Sequence, residues 1–368
     1  MSTIAINTRF LLPNKMEGFG WYTYEVVKRL VQNHPEHQFI LFFDRPFDKQ
    51  FIFGDNVTPV VLNPPARHPI LFILWFEFAV YRALKKYKAD VFFSPDGYLS
   101  LRAKTPQIAT IHDINFEHFP KDIPFTPRLY LRYFFSKFAK KATKIITVSE
   151  TSKLDIAKTY SISSSKIEVA WNGVSDSFHR IGEKEKEQFR NKYANGNPYF
   201  LFVGSLHPRK NLRRLIEAFE LFRSENKDFD LVIVGEEMWG TNKIDSSEKS
   251  AIHFTGHLSL EELSKVMASA SIFTFVPYFE GFGLPLVEAM KSGVPILAGN
   301  LSCLPEIADD AALYCNPMDV NDILLKMRAL VKDEDLKDTL VRNGLERSKL
   351  FSWDNSAKIV WKEISQLL

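Results

Sequence analysis

Only two cysteines, Cys303 and Cys315, occur among 368 residues, and neither lies in a metal-ligand spacing. That excludes a disulfide framework and fits a reducing compartment. Long apolar runs are missing too: the greasiest stretch, Pro69 to Leu84, is interrupted by Glu77 and Arg82, so no membrane-spanning helix is expected. No secretory leader is expected, because Thr3 to Thr8 already reads as a strand. Internal repeats and low-complexity tracts are absent. Charge is nearly balanced, with 47 Lys and Arg against 44 Asp and Glu, and no nucleic-acid reader motif appears. Nucleic acid is therefore not an expected partner. What remains is ordinary globular composition, 45% hydrophobic and 25% charged. The length calls for two or three domains.

Short apolar segments alternate with helix-patterned stretches along nearly the whole chain. Strands are expected at Ile4–Thr8, Phe39–Phe43, Thr58–Leu62, Asp90–Ser94, Gln107–His112, Lys144–Ser149 and Lys166–Trp171. A second series comprises Tyr199–Gly204, Asp230–Gly235, Ala251–Thr255, Ser271–Val276, Val294–Ala298 and Ala311–Cys315. Several are continuous apolar runs, LVIV at Leu231–Val234 being the clearest, as in parallel strands covered on both faces. Asn211 is placed to cap a helix running to about Ser224, and Ser259 begins a capping box closing at Glu262. A break near 172–197 contains Gly173, Gly182 and the charged run Glu183–Glu187, and reads as a joint. The fold class expected is α/β, with two Rossmann-like doubly wound domains facing across a cleft. Residues 1–180 carry a net charge of +8 and residues 181–368 a net of −5, which suggests two bodies with different partners.

Ligands of such sheets bind beyond the carboxyl ends of the strands. Four loops there could carry chemistry. Met16 to Leu30 places Gly18 and Gly20 before a helix start, where backbone N–H groups can approach a phosphate. The spacing is not the dinucleotide fingerprint, and an ordinary loop is the alternative. His112, followed by Asp113, ends a strand and could touch a ligand or serve structurally. Arg209 and Lys210 precede a helix and could form an anion site or a solvated basic turn. The richest loop is Tyr278 to Pro295. There Glu280 and Glu288 flank a helix opened by Leu284 or Pro285, behind the glycines Gly281 and Gly283. Two carboxylates, a glycine pair and a helix N-terminus together suit a phosphorylated sugar better than a merely structural helix start.

The Glu280-x7-Glu288 block, with EGFGLPLVEAM and GVPILA, resembles retaining GT-B glycosyltransferases of family 4. The likeness extends over nearly the whole chain, through Gly18–Gly20, His112–Asp113, TVSE at Thr147–Glu150 and WNGV at Trp171–Val174. It continues through VGSLHPRKN at Val203–Asn211, FTGHLSLEEL at Phe254–Leu263 and FSWDNSA at Phe351–Ala357. PRKN narrows it toward the mannosyltransferase-like branch.

The resemblance implies an acceptor-side domain of residues 1–172 plus a returning helix 354–368, and a nucleotide-sugar domain of 173–353. It implies His112, Lys210 and Glu280 as catalytic groups. Lys210 would hold the diphosphate with Arg209 beside it, and Glu288 the ribose. Glu280 with the N–H groups of Gly281, Phe282 and Gly283 and the helix start at Leu284 would hold the sugar and phosphate. The Gly18–Gly20 loop would close on the diphosphate, and His257 and Leu258 would hold the base. Relatives often carry Arg where Ser205 stands here, so which cation reaches which phosphate oxygen stays open. No Asp-x-Asp motif follows a strand, so neither a metal nor another cofactor is expected. The donor implied is a nucleotide sugar, GDP-mannose first, with a UDP-sugar, or phosphorylase or epimerase chemistry, as alternatives. The acceptor would be a glycan or lipid-linked saccharide in bacterial-type surface polysaccharide synthesis. The segment 121–144 carries seven basic residues and one acidic, interleaved with aromatics, which suits peripheral contact with an anionic membrane or a core helix with a wet face. The location expected is cytoplasmic, with such peripheral contact on the inner membrane face.

Overall fold

A computed structural model describes residues 1–13, 16, 18–236 and 251–368. The chain divides into two compact units, one of Met1–Gly173 with Ser352–Leu368, the other of Val174–Phe351. Glu17, within the first glycine-bearing stretch, lies outside the described residues.

The first unit is built on β1 (Thr3–Asn7), β2 (Gln38–Phe43), β3 (Val57–Val61), β4 (Val91–Ser94), β5 (Gln107–Thr110), β6 (Lys144–Thr147) and β7 (Ile167–Val169). They form one sheet in the order β3-β2-β1-β4-β5-β6-β7, with every pairing parallel. The second unit is built on β8 (Tyr199–Val203), β9 (Asp230–Val234), β10 (Ile252–Gly256), β11 (Ile272–Phe275), β12 (Ile296–Gly299) and β13 (Ala312–Cys315). Its order is β10-β9-β8-β11-β12-β13, again all parallel. Continuous burial along β8 and β9 explains their unbroken apolar sequences, since helices cover both faces. Each order reverses once, between β1 and β4 and between β8 and β11, and loops leaving the strands there open at the carboxyl edge.

Six helices position the candidate residues or close the cores: α1 (Gly18–Asn33), α2 (Phe125–Lys141), α3 (Glu183–Ala194), α4 (Leu212–Glu225), α5 (Leu284–Lys291) and α6 (Trp353–Ser365). The chain's last helix, α6, belongs to the first unit. Its Trp353, Val360 and Ile364 join Ile4, Ile6, Val27 and Val31 in one core. Arg29 of α1 donates to Asp354 at 2.5 Å, and the Ser356 hydroxyl donates to the Trp171 carbonyl. Gly173 permits this return, because a Cβ there would lie 2.2 Å from the Trp353 nitrogen.

Three local expectations change. The run Glu183–Glu187 is not a joint: it opens α3, where acidic side chains suit the helix N-terminus, and α3 belongs to the second unit, bonded through Arg190 to the Ser269 carbonyl. Asn211 precedes α4 but does not cap it. Its backbone is left-handed (φ 61°), and its amide donates instead to the carbonyls of Val276 and Pro317. Ser259 does accept from the Glu262 N–H at 3.2 Å, but the Glu262 carboxylate turns to Lys192 and Tyr193 rather than back to the cap.

Candidate functional site

In the second unit the loops after β8 and β11 meet. The loop after β8 winds into a single helical turn, Pro208–Lys210, capped by His207, whose Nδ1 accepts from the Arg209 N–H at 3.2 Å. This turn aims two cations at one carboxylate. Arg209 Nη1 lies 2.6 Å from Glu280 Oε1 and donates also to the Phe279 carbonyl at 3.2 Å, and Lys210 Nζ pairs with the same Glu280 oxygen. The Tyr278 N–H donates to the Arg209 carbonyl at 3.0 Å, which ties the two loops by their backbones. Lys210 and Glu280 are both buried. Burial by itself would raise the Glu280 pKa, but Arg209 and Lys210 outweigh it and hold the carboxyl below its ordinary value. Two cations gathered on one carboxylate, next in sequence to a helix start, suit a site for a polyanion.

Helix α5 starts beside this cluster in sequence, with Gly283 as its first flanking residue. Gly283 has φ +86°, a conformation costly to any residue with a Cβ, and an added Cβ would meet Leu304 at 3.0 Å. Leu284 and Pro285 open the helix, where proline lacks only an N–H that would be unpaired anyway. The Phe282 side chain is buried, edge-on to Phe351 at 5.7 Å, so what Phe282 can offer a ligand is its backbone. Glu288 stands one turn into α5. Burial pushes its carboxyl up to about 8.

Ser205, His257 and Leu258 lie on the same carboxyl edge but outside the ion cluster. Ser205 follows Gly204, whose carbonyl approaches Gly235 so closely that a Cβ on Gly235 would sit 1.9 Å away. His257 is exposed and Leu258 half-buried, directly after β10.

The first unit gathers a different set. His112 stands two residues past β5, and its Nε2 bonds the Pro95 carbonyl at 2.9 Å. Phe19 and Tyr22 of α1 meet its ring edge-on at 4.8 and 4.7 Å. Burial lowers the His112 pKa, so the ring is neutral at ordinary pH. The helix begins at Gly18, so Gly18 and Gly20 lie inside its first turn rather than before it. Gly20 fits closely, since a Cβ there would lie 2.9 Å from the Phe10 carbonyl, whereas Gly18 has nothing within 4 Å.

One position had no signal in local pattern, and another signalled a different role. Ser302, left-handed at φ 59°, grips the Glu280 backbone from both sides: it accepts from the N–H at 3.2 Å and donates to the carbonyl at 2.5 Å. Asn211 fastens the Val276 and Pro317 carbonyls. Both act on residues far away in sequence, and only the carboxyl-edge positions of their loops pointed to them.

Two doubly wound parallel sheets, the second with two cations and a carboxylate at its carboxyl edge, have the architecture of the GT-B glycosyltransferases. The pattern described as Glycosyl transferases group 1 matches residues 183–347, and that of Glycosyltransferase Family 4 matches residues 16–178. The chain is 28% identical to O-antigen chain mannosyltransferase B of Escherichia coli, over 92% of this chain and 93% of that protein. It is 30% identical to O-antigen chain mannosyltransferase RfbU of Salmonella typhimurium, over 69% and 68%. Sucrose-phosphate synthase from Thermosynechococcus elongatus superposes with a TM-score of 0.80 at 17% identity, over 100% of this chain and 99% of that one. The chain belongs to the group 1 glycosyltransferases of family 4.

Proposed function

We propose that the protein is a retaining mannosyltransferase of surface polysaccharide assembly, taking its sugar from GDP-mannose without a metal ion. The observation that carries this reading is the trio Arg209, Lys210 and Glu280 next to the start of α5. Departure of a nucleoside diphosphate builds negative charge on the leaving oxygen and positive charge on the anomeric carbon. Cations already held in place stabilise that charge without reorganising, and removing one such donor costs roughly 3 kcal/mol, or about 100- to 1000-fold in rate. Lys210 and Arg209 take the diphosphate with the N–H groups of Gly281 to Leu284. Glu280 engages sugar hydroxyls, Glu288 the ribose, and the backbone at His257 and Leu258 the base. His112 serves the sugar, and the Gly18 and Gly20 N–H groups the diphosphate, as the family resemblance implies. Glu280 is committed to two cations and is a poor nucleophile, which favours front-face transfer with retention over a double displacement. The mannosyl specificity is supported by the mannosyltransferase names of the relatives.

The acceptor is a glycan or lipid-linked saccharide at a membrane. In support, α2 exposes Phe125, Leu129 and Tyr133 at helical spacing, with Arg128 over the Phe125 ring and Lys137 3.5 Å from the Tyr133 ring centre. Among the described residues no helix is long and apolar enough to cross a membrane. The test of the donor is a melting panel with GDP, UDP and ADP, followed by product analysis with the matching sugar nucleotide. Saturating ligand at 100 times its Kd should stabilise by about 2.7 kcal/mol. GDP giving the largest shift and an α-linked mannosyl product support the proposal. A β-linked product from an α-linked donor removes retention, and a response to UDP alone removes the donor assignment. Flotation with phosphatidylglycerol vesicles but not with neutral ones is expected of the membrane contact.

A further inference from the structure

At the carboxyl edge of β1 and β4, inside the first unit, sits an ion pair that the proposed chemistry does not use. Arg9 and Asp96 are both buried, and Arg9 Nε donates to Asp96 Oδ2 at 2.6 Å. Tyr98, Phe10, Phe72 and Phe76 surround the guanidinium with ring centres 4.2 to 5.4 Å away. The other carboxylate oxygen of Asp96 accepts from Asn7 at 2.8 Å, Ser94 at 2.9 Å and the Tyr98 N–H at 3.3 Å. A buried pair roughly breaks even on stability against apolar residues of similar size, so stability alone does not account for it. Its consequence is geometric. Every one of these bonds pins the short loop of residues 95–98, and Gly97 (φ +86°) presses that loop toward the end of β5, where a Cβ would lie 3.2 Å from the Thr110 carbonyl. The loop's Pro95 carbonyl is the partner of His112 Nε2.

A carbonyl can only accept, so Nε2 must carry the proton. In the neutral ring Nδ1 is then a bare acceptor, and it has no hydrogen-bond partner among the described residues. We propose that Arg9 and Asp96 are positioning residues for His112: by locking the 95–98 loop they fix the imidazole as its Nε2–H tautomer and leave Nδ1 to accept a hydrogen bond from a hydroxyl of the bound sugar. Its use in turnover rests on the glycosyl-transfer reading; the tautomer itself does not.

The test uses the full chain, isotopically labelled at the histidine nitrogens. Long-range proton–nitrogen spectra above neutral pH distinguish the tautomers, and the signals missing from His112→Gln identify His112. Wild type is expected to hold a single Nε2–H form. Asp96→Asn and Arg9→Lys, each checked for folding by its melt, are expected to populate the Nδ1–H form. Their turnover at limiting donor should fall about 10- to 100-fold, the usual consequence of a displaced contact near the reacting atoms. An Nδ1–H ring in wild type overturns the proposal, and so does a folded variant that keeps the wild-type tautomer. A changed tautomer with unchanged turnover upholds the positioning and removes His112 from the transfer reaction.

Discussion

Burial penalises the charged form of Glu288. With its folded pKa raised to about 8 by burial, it stays protonated in the native state at pH values where the unfolded chain has released that proton. Its contribution to stability is therefore whole below the ordinary carboxyl range and is lost as pH rises toward 8. Replacing it with glutamine removes the titration. Melting curves of Glu288→Gln and wild type should coincide near pH 4, diverge in favour of the variant up to about pH 8, and run parallel beyond it. If Glu288 also binds ribose hydroxyls, the same variant should bind nucleoside diphosphate more weakly while being more stable, a combination that a purely structural carboxyl would not give. Lys210→Ala should act differently. It leaves Glu280 with Arg209 alone and should lower turnover about 100- to 1000-fold, with a smaller change in melting. Glu280 and both cations were legible in sequence because they sit in loops directly after apolar strands, and Glu288 because it stands one turn into the helix that follows. Arg9, Asp96 and Ser302 were not. Their partners are 87, 87 and 22 positions away, and no local period encodes such distances.

Among elements, α5 shows how much a helix start depends on one backbone angle. Gly283→Ala would force a Cβ into the left-handed region, at a cost of about 1–2 kcal/mol, and against Leu304 as well. The expected result is a lower melting temperature together with weaker diphosphate binding, since the same backbone turn presents the N–H groups. Gly18→Ala is the contrasting case. Nothing lies within 4 Å of the added methyl, so melting should stay within about 0.5 kcal/mol of wild type. If the N–H groups of α1 meet the diphosphate, turnover should nevertheless fall, because the methyl occupies that approach. Elements themselves were readable from sequence. Each expected strand has a counterpart in the structure, most of them ending a residue or more before the expected carboxyl end. Caps were less readable. Asn211 looks like a cap by residue type and position, yet two distant carbonyls claim its amide.

At the scale of the whole chain, the decisive feature is that its last segment completes its first unit. Continuous apolar strands and a single alternation of strand and helix were enough to read two doubly wound bodies, since that pattern has few other packings. What the alternation does not contain is energetic dependence between distant segments. Helix α6 contributes Trp353, Val360 and Ile364 to a core with β1, β2 and α1, and the last two are fully buried. Burying each such side chain is worth about 1.5–3 kcal/mol, so the helix as a whole carries a sizeable part of the first unit's marginal stability. Ending the chain at Phe351 should therefore loosen residues 1–173 and leave 174–351 little changed. Hydrogen exchange on the truncated chain should lose protection in β1, β2 and α1 while β8, β9 and β11 keep theirs. Diphosphate should still protect the second unit, because the trio of Arg209, Lys210 and Glu280 lies wholly within it. Equal loss of protection in both units would mean that they fold as one body, and donor binding could not then be assigned to the second unit alone.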